Sequence, residues 1–173
     1  MLVMTQDTLK RLYDFNQRSE NWDLKGYTPG TRNRAGDQWG GGHTRRLLGL
    51  AFTLAFSCLL RADEVLKIKS QDIVLIGEHR LELTVPFRKT SQYGSESNYS
   101  GCSHTSSTDH LSYCKEIEPF VLHELPDLMA HLCPVRAYSE WLNVSQIESG
   151  FVFRKLGSGD QVSENDQPMV RTL

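Results

Sequence analysis

The chain of 173 residues is 39% hydrophobic and 23% charged, which is enough to bury one ordinary core and a tight fit for two complete domains. A formal net charge of −2 excludes a global basic field for nucleic acid but leaves room for a local basic groove. Four scattered cysteines (Cys58, Cys102, Cys114 and Cys133) and an N-terminus without an apolar signal segment exclude a disulfide-stapled secreted miniprotein. An intracellular, reducing location is the expectation.

In chain order, residues 4–18, "MTQDTLKRLYDFNQR", space Leu9, Leu12 and Phe15 at helical intervals behind a Thr5 suited to capping, which predicts an amphipathic helix. Residues 26–42, "GYTPGTRNRAGDQWGGG", are broken by glycine and read as a flexible loop carrying Arg32 and Arg34. The run Leu47–Leu60, "LLGLAFTLAFSCLL", is uncharged but shorter than the roughly 18–20 residues a bilayer requires. It predicts a buried core helix starting near His43–Arg46, and no membrane partner.

The next stretch, "LLRADEVLKIKSQDI", sets Arg61 against the end of that apolar run. Ile73–Ile76 ends at Gly77, and "RLELTVPF" alternates Leu81, Leu83, Val85 and Phe87, so the two segments predict a β-hairpin. Residues 91–114 are rich in serine and threonine without a hydrophobic period and read as a long connector. "KEIEPFVL" predicts a third strand, and "CPVRAYSEWL" a helix with Pro134 in its first turn and Val135, Tyr138 and Leu142 on one face. "GFVF" suggests a short strand, and residues 155–173 a polar tail with no further packed element.

The order of these pieces, "LLRADEVLKIKSQDI", then "VPFRKT", then "CPVRAYSEWL", resembles the catalytic domain of tyrosine recombinases, the phage-integrase family, in the form found in eukaryotic, notably fungal, mobile elements. The resemblance runs over about residues 5–155. It implies a mainly α domain with a small three-stranded antiparallel β-sheet, in the α+β class. It also implies DNA as partner, oligomers assembled on DNA, a nuclear location in a eukaryote, and DNA breakage and rejoining through a phosphotyrosine.

In that family the arginine after the paired leucines grips the scissile phosphate, the acidic residue three positions on helps to hold it, and a hairpin lysine protonates the leaving oxygen. These roles fall on Arg61, Glu64 and Lys89. The residue types suit the chemistry. A planar guanidinium contacts two non-bridging oxygens in a fixed geometry, and a lysine beside a cationic site has its pKa lowered towards proton donation. No metal or cofactor is needed. Arg88, Arg45 and Arg46, with Arg32 and Arg34, are further candidates for lining a DNA path, although each also reads as a solvated surface charge.

The family's later residues, a His-x-x-Arg and the nucleophilic tyrosine, have no counterpart beyond "CPVRAYSEWL", and the last of the six tyrosines is Tyr138 within it. The match therefore covers the first half to two-thirds of a catalytic domain, and without the nucleophile the expectation is an inactive chain. A non-catalytic DNA-binding or regulatory module is the alternative. Cys102, His104, His110 and Cys114 in the connector offer zinc-type ligands, but their spacing fits no standard finger and reads as coincidence.

Overall fold

The computed structural model describes residues 4–24, 40–85, 118–157 and 159–169. Helix α1 spans Gln6–Gln17 and opens as the sequence predicts, with the Thr5 hydroxyl accepting the Thr8 N–H. Helix α2 spans Gly42–Ser57 and supplies the centre of the core: Leu47, Leu50 and Leu54, one or two turns apart, are fully buried. The short helix α3, Ala62–Val65, follows at once.

Strands β1 (Ile73–Leu75), β2 (Arg80–Leu83) and β3 (Phe120–His123) form one antiparallel sheet in the order β1-β2-β3. Registers place Ile73, Leu83 and Phe120 in one row and Leu75, Leu81 and Leu122 in the next. Because strand side chains alternate, these rows share one face, on which Ile73, Leu81 and Leu83 are buried while Leu75 at its edge is half exposed, and Val74, Glu82 and Val121 take the other. The hairpin turn uses Gly77 at φ +71, a conformation that suits glycine. The third strand lies further along than "KEIEPFVL" implies, because the apolar alternation that fits the sheet starts only at Phe120.

After a 3-10 segment at Asp127–Leu132, helix α4 spans Pro134–Ser145 and packs against α2. Its N-cap is the Cys133 sulfur, which accepts the N–H groups of Arg136 and Leu125. Trp141, fully buried, donates its indole N–H to the Val152 carbonyl at 3.0 Å. "GFVF" is not a strand: Phe151 makes one isolated bridge to Lys69, while Val152 and Phe153 plug the core.

The described residues that follow form no helix or strand, yet they are held. Bridges join Arg154 to Pro168 and Leu156 to Val162, and Asp160 is only 6% exposed. The architecture is thus mixed helix with a small three-stranded antiparallel sheet, in the α+β class. No helix among the described residues is long and apolar enough to cross a membrane.

Candidate functional site

The apolar run of α2 ends in a sharp reversal. Leu59 takes a left-handed conformation, φ +52, and the N–H of Leu60 donates to the Ala55 carbonyl at 3.0 Å, the six-residue closure of a Schellman end. Leu60 turns inward and is 8% exposed, whereas Leu59 points out at 84%. The next residue, Arg61, leaves the core at a fixed point and is exposed.

Glu64 fixes that point through the main chain. Its carboxylate accepts the Arg61 N–H at 2.8 Å, and the Glu64 N–H returns to the Arg61 carbonyl at 3.0 Å, so α3 is closed at its first turn. Glu64 is buried and Val65 beside it is 2% exposed, which anchors the turn to the core. The bracing expected of Glu64 is therefore exerted on the Arg61 backbone. The Arg61 guanidinium has no hydrogen-bond or ion-pair partner among the described residues.

The two arginines at the start of α2 are placed differently. Arg45 is 5% exposed: its Nε donates to the Asn21 carbonyl, its Nη1 donates to Asn16 Oδ1 at 3.2 Å, and its guanidinium lies 5.0 Å from the centre of the Phe15 ring. It ties α1 and the turn after it to α2. Arg46, half-buried, stacks at 4.2 Å over Trp22.

Tyr138, the last tyrosine, is 4% exposed, and burial raises its phenol pKa; it is a core residue of α4. Lys89 and Arg88 lie outside the described residues, as do Arg32, Arg34, Cys102, His104, His110 and Cys114. The structure thus places Arg61 and Glu64 together, and it separates them in role from Arg45.

Sequence reasoning overlooked one constellation. The first turn of α2 is held by Asp160, whose carboxylate accepts the N–H groups of His43 at 2.6 Å and Thr44 at 2.8 Å as well as the Thr44 hydroxyl. The His43 ring lies against it, Nδ1 at 3.4 Å, with Nε2 at 3.3 Å from the Val144 carbonyl. A side chain at Gly41 would meet Asp160 at 2.5 Å, so the end of the glycine run is a close-approach site.

Burial pushes the Asp160 carboxyl up, but hydrogen bonds from the Thr44 hydroxyl and the Thr44, His43 and Gly41 main chain outweigh it and hold the pKa below the ordinary value. His43 and Arg46 also form the chain's one His-x-x-Arg spacing, upstream of Arg61, and both side chains are committed to these local contacts. Only the glycine run before a helix hinted at this cluster. Among the described residues no group of three or more His, Cys, Asp or Glu side chains is arranged to hold a metal ion. Comparison of the chain with protein-family models, with curated proteins and with solved structures gives no match.

Proposed function

We propose that this chain engages the phosphodiester backbone of DNA through Arg61, as part of a tyrosine-recombinase-like catalytic domain. The observation that carries the reading is the mounting of Arg61. A guanidinium with no ion-pair partner among the described residues stands at the end of a buried helix, on a turn fixed by a helix reversal behind it and by Glu64 ahead of it. A group held rigidly on packed elements meets a tetrahedral phosphate reproducibly, and a guanidinium supplies it with two donors in a fixed geometry.

Two further features support the family reading. The element order of buried helix, arginine, antiparallel strands and a helix opening with Cys133-Pro134 follows the sequence resemblance. Lys89 belongs to this proposal as the proton donor to a leaving oxygen, on the segment between β2 and β3. In the intact family the reaction is strand breakage by a tyrosine. For this chain the proposal extends to phosphate binding, since Tyr138 is a core side chain.

The test is salt-dependent binding to duplex DNA. Arg61→Ala is expected to weaken binding across all sequences and to reduce the salt slope by about 1. Absence of binding at low salt, or binding indifferent to Arg61→Ala, would overturn the proposal. A second reading, a DNA-binding or regulatory module without chemistry, is favoured by the burial of Tyr138. A suicide substrate that traps a covalent complex would eliminate it.

A further inference from the structure

Away from Arg61, helices α1, α2 and α4 enclose a cleft with a mostly apolar lining, which includes Leu9 and Leu12 from α1 and Leu50 and Phe52 from α2. Its volume is about 40 Å³, room for roughly three or four non-hydrogen atoms at roughly 10–15 Å³ for a water-sized group. That is the size of a small branched alkyl group.

Two features of the wall are costly to the protein alone. Gly49 sits mid-helix in α2, where glycine is less stable than alanine, yet a Cβ there would meet nothing within 4 Å. No close packing requires the glycine, and its effect is to leave the cleft open. His131, also in the lining, is 7% exposed, and its Nε2 is buried without a hydrogen-bond partner.

The charges around the cleft are balanced but not joined. Arg45 is engaged by Asn21, Asn16 and Phe15, and Arg136 by Asp127 at 2.7 Å. Arg46 from α2 and Glu140 from α4 remain, opposite in sign, and neither has an ion-pair partner among the described residues. Stacking at 4.2 Å on Trp22 occupies a face of the Arg46 guanidinium, and one hydrogen bond to the Gly42 carbonyl at 3.4 Å leaves most of its edge donors free. Burial and, after it, the Glu140 charge raise the pKa of Tyr13, another lining residue, so the field of Glu140 reaches into the cleft. An anion would answer Arg46 and be repelled by Glu140, and a cation would meet the reverse. A ligand carrying both charges on one head answers both, at no net charge. We infer that the cleft is a binding site for a small apolar α-amino acid, with its carboxylate on Arg46, its ammonium on Glu140 and its branched side chain on the apolar lining beside Gly49. The site does not involve Arg61 and stands or falls independently of the DNA reading.

The probe is L-valine, titrated into the full chain near neutral pH and followed by calorimetry and by the His131 and Trp22 resonances in NMR. Isovalerate, which lacks the ammonium, isobutylamine, which lacks the carboxylate, and sodium chloride serve as controls. Saturable binding of valine is expected, with each single-charge analogue roughly tenfold weaker because one charge-assisted contact is lost and one wall charge is left unanswered. Arg46→Gln is expected to abolish the preference for valine over isobutylamine, and Glu140→Gln the preference for valine over isovalerate. Gly49→Leu, which fills the cleft, is expected to eliminate binding while leaving thermal stability equal to or above that of the parent. A valine response matched by sodium chloride, a single-charge analogue that binds as well as valine, or a folded Gly49→Leu protein that binds as the parent does would each overturn the proposal. Should Gly49→Leu not unfold cooperatively, the Arg46→Gln and Glu140→Gln comparisons decide alone.

Discussion

Asp160 caps helix α2 from 116 positions along the chain, its carboxylate accepting the Thr44 N–H at 2.8 Å. The α2 N-cap position is Gly41, which has no side chain with which to satisfy the first-turn N–H groups, and Asp160 does so instead. The negative charge also lies at the positive end of the helix dipole. Asp160→Ala is therefore expected to cost about 1–2 kcal/mol, measured as the shift in urea unfolding. Gly41→Ala is expected to destabilise through the same contact, since its methyl would displace the carboxylate. An Asp160→Ala protein as stable as the parent would show that another group closes the helix.

The same carboxylate sets a pH dependence. Its pKa is lower in the folded protein than in the unfolded chain, so the folded state releases the proton more readily. The stabilisation is complete above the ordinary carboxyl value of about 3.9 and is lost as pH falls through it towards the depressed folded value. The stability gap between the parent and Asp160→Asn should shrink over that acid window and stay level above it. Urea midpoints taken across the window check this, and a gap constant with pH would contradict a role for the charge.

Leu59 is strained and exposed at once. A left-handed leucine costs roughly 1–2 kcal/mol, and glycine would relieve that at roughly 0.5–1 kcal/mol of extra chain entropy. Leu59→Gly should accordingly raise stability by about 0.5–1 kcal/mol, or roughly 2–3 °C in Tm, because 84% of the leucine already faces solvent and little packing is lost. A fall in Tm would mean that Leu59 packs against something that stabilises the fold.

Arg45 and Arg61 separate structure from proposed function. Removing Arg45 strands the Asn21 carbonyl and Asn16 and discards the Phe15 contact, so Arg45→Ala should cost about 2–4 kcal/mol. Arg45→Lys should not restore it, since one ammonium does not reproduce the planar fork. Arg61→Ala should change stability by less than about 0.5 kcal/mol while weakening DNA binding. Thermal unfolding of the three variants beside the parent distinguishes these outcomes.

The sequence by itself determined the local elements: α1 behind its Thr5 cap, the buried α2, the hairpin of β1 and β2, and α4 opening on Pro134. Each of these is written in a period of side chains or a cap a few residues away, and neighbours in sequence are sufficient to set it. It also determined that Arg61 follows an apolar helix end. Only the tertiary structure decided which arginines are free. Arg45 and Arg46 are adjacent and alike in sequence, but their side chains leave the helix about 100° apart, so one is sealed under α1 while the other stacks on Trp22. Tertiary packing likewise recruited Asp160 from a segment without a period, because the partner of an orphan N–H is set by what the fold brings near it, and no local pattern encodes a contact 116 residues away.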